Sequence, residues 1–211
     1  MSHDGPDQNF PNEAPPVKEE RRAALDPDVH FNQQFEGKPC YLQPGEILCS
    51  DAEKDMFVSL VGSGVLVTLH DTELKLGGMC YILLPDPLLD AFPNFDKTDP
   101  KIRSATLKPI EDCIQEMKHR GAGKHRIQMR LIGGAKFPES APQDTGTKNY
   151  IFVREYITRK GLSIFNEDLG GPYVRRVHFF PSTGRAVRIM MRRASDYAAM
   201  QDIEKKIQGK S

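Results

Sequence analysis

Apolar and polar positions alternate most clearly in the middle of the chain, and strands are the first elements that this pattern predicts. Phe57-Val58-Ser59-Leu60 and Val65-Leu66-Val67-Thr68-Leu69 are β-rich runs interrupted by Gly62-Ser63-Gly64. Gly77-Gly78 introduces a third run, Met79 to Leu84, which stops at Pro85. Residues 86–103 carry Pro, Asp and Asn and read as a long loop. The period then lengthens. Ile110, Ile114 and Met117 share one helical face, Pro109 belongs in a first turn, and Gly121 supplies a C-cap, which predicts a helix from near Lys108. Ile127-Gln128-Met129-Arg130-Leu131 alternates strictly, as a half-buried strand does, and ends in Gly133-Gly134-Ala135.

Further along, Asn149 is expected to cap a second helix, with Tyr150, Val153 and Ile157 inward and Gly161 at its end. Leu162–Phe165 reads as a strand running into Asp168-Leu169-Gly170-Gly171. Val174–Phe180 and Ala186–Met191 form a hairpin across Pro181-Ser182-Thr183-Gly184. Tyr197, Met200, Ile203 and Ile207 mark a terminal amphipathic helix. Before all this, residues 1–28 hold Pro6, Pro11, Pro15, Pro16 and Pro27 among acids, amides and basic residues. They bury too little apolar surface to offset their ordering entropy and read as a flexible tail. Order is expected from near Val29-His30-Phe31, with a turn at Pro44-Gly45-Glu46. The mixed order of strands and helices predicts an α/β class: a single-domain layered sandwich with a mixed sheet over 29–193, followed by a helical extension over 194–211.

Composition narrows the functional classes. Lys+Arg and Asp+Glu both number 29 in 211 residues, and zero formal charge gives no argument for nucleic acid or an anionic membrane as partner. The start Met1-Ser2-His3-Asp4 has no basic region followed by an apolar core, and no apolar run is long enough to span a bilayer, so a cytoplasmic protein without membrane insertion is expected; a monomer is expected as well. The four cysteines are scattered, with no C-x-x-C pair, and fit reduced thiols. The histidines show no ligand spacing, so neither a metal nor a cofactor is expected.

Several short segments in order along the chain carry a resemblance. They are Leu42-Gln43-Pro44-Gly45-Glu46, Leu60-Val61-Gly62-Ser63-Gly64-Val65, and Leu76-Gly77-Gly78-Met79 closing on Leu84-Pro85. Leu131-Ile132-Gly133-Gly134-Ala135 and Gly146-Thr147-Lys148-Asn149 follow. Glu167-Asp168-Leu169-Gly170-Gly171 and Arg176-Val177-His178-Phe179-Phe180-Pro181 with Thr183-Gly184 come last. Each alone is weak, but seven in register over roughly residues 40–190 make the chain resemble the CheD family of chemoreceptor deamidases.

The resemblance implies an α/β sandwich similar to deamidating toxin domains. It also implies conversion of glutamines on chemoreceptor helices to glutamate by a cysteine nucleophile, a histidine base and a threonine. The implied partners are chemoreceptor cytoplasmic helices and, in some bacteria, a CheC-type phosphatase. Carried onto this chain, the nucleophile position is Gly64, the base position is Tyr81 and the threonine position is Val58. Deamidation needs a nucleophile for the carboxamide carbon and a base that later protonates the ammonia. Glycine offers no side chain, tyrosine with a reference pKa near ~10 is a poor base at neutral pH, and valine orients nothing.

The same sequence offers possible substitutes. Cys80 adjoins Tyr81, but strand neighbours face opposite sides, so a Tyr81 facing the site sends Cys80 to the core. Ser63 needs a base, and His70 beside Asp71 at a strand end is expected to be an exposed loop histidine. Cys113 is expected in the core, and Cys40 and Cys49 flank the entry turn. Gly62, Ser63, Gly133 and Gly134 are candidate partner-binding positions whose backbone approaches a bound helix, with Phe137 as an apolar anchor at the rim. The alternative is that these glycines are only tight turns. Three functions follow: a non-catalytic receptor- or CheC-binding homologue, a deamidase with a site rebuilt on Cys80 or Ser63, or a degenerate product without a partner. The core pattern, intact outside the site, disfavours the third.

Overall fold

The Gly-punctuated runs of the sequence become the strands of two stacked sheets. The computed structural model describes residues 37–94, 96, 99–136, 144–192 and 200. The expected tail, the start near Val29, Phe137, and the terminal helix apart from Met200 lie outside the described residues. The first sheet has the order β1 (Lys38–Tyr41), β3 (Asp55–Val61), β8 (Val174–Phe180), β9 (Arg185–Met191). The second has the order β2 (Ile47–Ser50), β5 (Leu76–Ile82), β4 (Val65–Asp71), β6 (Ile127–Gly133), β7 (Ile164–Leu169). Both are mixed: β1 runs parallel to β3 and β6 parallel to β7, and the remaining pairs are antiparallel. The class is α/β, as the sequence predicts.

Side-chain alternation divides the interior into two layers. Leu66, Met79, Tyr81 and Ile132 of the second sheet meet Phe57, Val61, Val177 and Phe179 of the first. Phe57 and Phe179 stand opposite each other in register with ring centroids 6.1 Å apart. The other face of the second sheet sends Val65, Val67, Leu69, Cys80 and Ile82 into a core shared with the helices. The Arg175 and Arg188 guanidiniums both reach Asp168 on β7 and tie the sheets together along one edge.

Four helices lie among the described residues: α1 (Asp86–Ala91), α2 (Pro100–Thr106), α3 (Lys108–His119) and α4 (Thr145–Arg159). Helix α3 starts at Lys108 as expected and buries Ile110, Cys113 and Met117. Gly121 follows it at φ +94°, a left-handed conformation that glycine enters without penalty.

Four expectations need correction. The stretch 86–103 is not one long loop, because Pro87 and Pro100 each stand in the first turn of a short helix and the Asp99 carboxylate caps the second by accepting from the Lys101 N–H. Asn149 is not a cap. Helix α4 begins four residues earlier, after Asp144, and Asn149 lies fully buried inside it. The strand placed at Leu162–Phe165 is Ile164–Leu169, paired in parallel with β6. Finally, Gly77 and Gly78 lie within β5 rather than before it. A β-carbon on Gly77 would stand 2.4 Å from Pro181 Cα, so bare backbone is what lets the β8–β9 turn close over this strand.

Candidate functional site

The connection between β3 and β4 is Gly62-Ser63-Gly64, and it is fastened from two sides. The Gly134 N–H donates to the Gly64 carbonyl at 2.7 Å, and the Ala135 N–H donates to the Gly62 carbonyl at 2.7 Å. A side chain on Gly133 would strike the Gly64 carbonyl at 2.3 Å, so the two loops meet backbone to backbone. From α4, the Asn149 amide Nδ2 donates to the Ser63 carbonyl at 3.1 Å, and its Oδ1 accepts the Leu84 N–H at 2.8 Å. One buried amide thus joins the β3–β4 loop to the end of β5. Buried polar groups need such partners, and here the side chain supplies both.

Register then sets what faces this loop. Val65 stands opposite Ile82 and Leu66 opposite Tyr81, which brings the Tyr81 ring diagonally onto Gly64. A β-carbon on Gly64 would lie 2.4 Å from Tyr81 Cε2, 3.2 Å from Tyr81 Cζ and 2.8 Å from the Ile82 carbonyl oxygen. The ring is 0% exposed. The space that a side chain at position 64 would enter is occupied by the side chain at position 81.

Val58 does not join this pair. It is buried on β3 opposite His178, and alternation carries both to the face away from Phe57 and Phe179. Of the three positions that the resemblance singles out, Gly64 and Tyr81 come together and Val58 stands apart.

The other candidates are placed as follows. Cys80 points into the helix-side core with Sγ 3.8 Å from the Val67 carbonyl, the face that alternation assigns to it. Cys113 is fully buried in the same core, as expected. Cys49 is half-buried on β2, with its Sγ 3.6 Å from that of Cys113, and Cys40 is half-buried on β1. Ser63 is buried in the fastened loop. His70 is not an exposed loop residue: it is 7% exposed on β4, because the β8–β9 turn packs over its ring at Gly184. Burial lowers its pKa, and it lies at the opposite end of β4 from Ser63, roughly 17 Å along five residues of extended strand. Gly62, Gly133 and Gly134 are buried, and the Gly134 N–H already serves the Gly64 carbonyl, so it is not on offer to a ligand carboxamide. Phe137 lies outside the described residues.

Chemically, the arrangement is a closed joint. Among the described residues no group of three or more His, Cys, Asp or Glu side chains is placed to hold a metal ion, and no helix is long and apolar enough to cross a membrane. Asn149 is the residue that sequence reasoning missed in this role. Its signal was present: it lies four residues before Val153, on the apolar stripe of α4, where a polar side chain requires a buried partner.

The family match and the curated relatives agree on one family. The family described as CheD chemotactic sensory transduction matches residues 95–189. A Burkholderia thailandensis protein named "Probable chemoreceptor glutamine deamidase CheD 2" is 31% identical over 182 residues, covering 85% of this chain and 90% of its own. A Xanthomonas campestris pv. campestris protein named "Probable chemoreceptor glutamine deamidase CheD" is 33% identical over 157 residues, covering 74% of this chain and 75% of its own. A Rhodopseudomonas palustris protein of the same name is 30% identical over 168 residues, covering 78% and 76%. Among solved structures, a Neisseria meningitidis protein of the family DUF152 aligns over 68% of this chain and 66% of its own. With a TM-score of 0.42 and 11% identity, that likeness is too slight to bear on fold or function. With relatives 31% and 33% identical over 85% and 74% of this chain and the family's motifs in order from Leu42 to Gly184, the chain belongs to the CheD family.

Proposed function

We propose that this chain is a non-catalytic CheD homologue, which keeps the family scaffold and acts in chemotaxis by binding rather than by deamidation. The observation that carries the reading is the filled space at Gly64. Deamidation needs a nucleophile that reaches the glutamine carboxamide carbon and a base beside it. Here the nucleophile's position has no side chain, and the ring at the base's position takes up the room that one would need. The partners are chemoreceptor cytoplasmic helices or a CheC-type phosphatase, with the protein acting in the cytoplasm as a monomer. Helix recognition depends on groove shape and rim contacts, and neither requires the nucleophile.

A site rebuilt on Cys80 or Ser63 has less behind it. The Cys80 thiol faces the helix-side core, and Ser63 has His70 at the far end of β4 rather than beside it. The test is incubation of the purified full-length chain with a receptor cytoplasmic fragment, reading heat of binding and glutamine mass together. Binding without conversion is expected. The absence of heat with both the receptor fragment and a CheC-type protein, at concentrations up to about the millimolar range, overturns the binding half of the reading.

A further inference from the structure

Three of the four cysteines meet where β2 and β5 pack against α3. Cys49, on the edge strand β2, is half-buried, and its Sγ lies 3.6 Å from the Sγ of the fully buried Cys113 on α3. Cys80 is buried in the same core, with its Sγ 3.8 Å from the Val67 carbonyl. The register explains how the first two sulfurs come to face each other. Cys49 stands opposite Gly78 on β5, and a β-carbon at Gly78 would lie 2.5 Å from Cys113 Sγ and 3.3 Å from Cys49 Sγ. Bare backbone at position 78 leaves the room in which the thiols touch. A disulfide holds its sulfurs at about 2.05 Å. Closing the remaining gap asks for a shift of about 1.5 Å, taken up by side-chain rotation and by a short edge strand that is bonded on one side only.

We propose that Cys49 and Cys113 form an oxidation site that closes into an intramolecular disulfide, joining β2 to α3, when the protein meets hydrogen peroxide. The half-exposed Cys49 reacts first. Its sulfur, having lost its proton, attacks one peroxide oxygen; the S–O bond forms, the O–O bond breaks, and the departing hydroxide leaves as water once protonated. The Cys113 sulfur then attacks the sulfenic sulfur of Cys49. The S–S bond forms, the S–O bond breaks, and the leaving hydroxide departs as a second water with the proton that Cys113 gives up. Two electrons pass from the two sulfurs to the two peroxide oxygens.

The reaction is slow. The hydrogen bond to Cys113, and then burial, hold the Cys49 thiol well above the usual range. Cys49 draws the Cys113 thiol down, but Cys80 and burial raise it on balance. Thiolate is the nucleophile, so closure takes minutes to hours.

The test uses the full-length chain with Cys40→Ser, which leaves Cys49 as the one half-exposed thiol. After hydrogen peroxide treatment, intact mass should fall by two hydrogens. Non-reducing peptide mapping should join the Cys49 peptide to the Cys113 peptide, and dithiothreitol should reverse both. The thermal midpoint should rise by about 5–10 °C, as closing a long loop does in a chain of this size. In the same background Cys49→Ser should lose no hydrogens. Oxygen addition without linked peptides overturns the proposal, and so does loss of two hydrogens in the Cys49→Ser variant.

Discussion

Tyr81 and Gly64 are fitted to each other: the tyrosine ring edge lies 2.4 Å from the point where a β-carbon on Gly64 would be. Each residue fixes what its partner position accepts. Gly64→Ala is therefore expected to destabilise the fold by roughly 1–3 kcal/mol, the usual range for overpacking a tight interior. In a Tyr81→His background the same change should cost less, by on the order of 1 kcal/mol. Relief stays partial, because the Ile82 carbonyl at 2.8 Å remains. Denaturant unfolding of the four proteins in the cycle gives the coupling directly, and strict additivity would break the pairing.

The same fit sets the order in which a cysteine and a histidine can be introduced. Gly64 is not among the residues with positive φ, so its φ admits a cysteine, and the obstacles are the ring first and the Ile82 carbonyl second. Gly64→Cys alone should be destabilised and inactive. Gly64→Cys with Tyr81→His should gain a thiol that titrates below the reference value of ~8.5 and some glutamine conversion. Adding Val58→Thr should matter less, because Val58 faces away from the pair. The rate of iodoacetamide labelling against pH measures the first effect. A folded double variant whose thiol titrates at the reference value would show that position 81 does not address position 64.

Asn149 holds the loop that carries Gly64. Asn149→Ala leaves the Ser63 carbonyl and the Leu84 N–H buried without that partner, at about 1–3 kcal/mol for each group. A total loss of about 2–6 kcal/mol is expected in urea unfolding. Asn149→Asp keeps an acceptor for Leu84 but sets a carboxylate against the Ser63 carbonyl, so it should not rescue the fold at neutral pH. A loss below about 0.5 kcal/mol for the alanine variant would mean that the amide is dispensable.

Acid should weaken the fold through His178. The residue is 0% exposed, and burial first, then the neighbouring Arg176, bring its pKa down to about 4. The unfolded chain protonates the same histidine near pH ~6.5, so its contribution is intact above that pH. As pH falls from about 6.5 to about 4, the unfolded state takes up the proton and the folded state does not. Up to about 3 kcal/mol is lost across this window. His178→Gln, which does not titrate, should flatten the stability profile between these limits. An unchanged slope would place the acid sensitivity elsewhere.

Much of this was legible in the sequence, because the period of two is a local property. The runs at 57–60 and 65–69 became β3 and β4, and the opposition of Tyr81 to Cys80 followed from their being strand neighbours. Pro109 placed the start of α3 for an equally local reason, the fixed φ of proline. What escaped depends on contacts between distant segments. His70 looked exposed at its strand end, but a turn more than a hundred residues later covers it. Asn149 resembled a cap because asparagine favours that position, and its true partners, Ser63 and Leu84, lie 86 and 65 residues away in sequence. The two short helices at 86–91 and 100–106 are too brief to display a helical period. The filling of the Gly64 space by Tyr81 follows from the β4–β5 register, which residue types alone do not specify.

The most direct measurement is residue-resolved mass spectrometry of a chemoreceptor cytoplasmic fragment after prolonged incubation with the purified wild-type chain, beside a CheD relative that has cysteine and histidine at the matching positions. Conversion of one glutamine to glutamate adds about 1 Da at a defined site, through the attack that a catalytic nucleophile makes possible. The relative is expected to convert its glutamines while this chain leaves every one unchanged. A time-dependent gain at specific glutamines with the wild-type chain, lost in a Cys80→Ser or Ser63→Ala variant, would contradict the account and identify a rebuilt site.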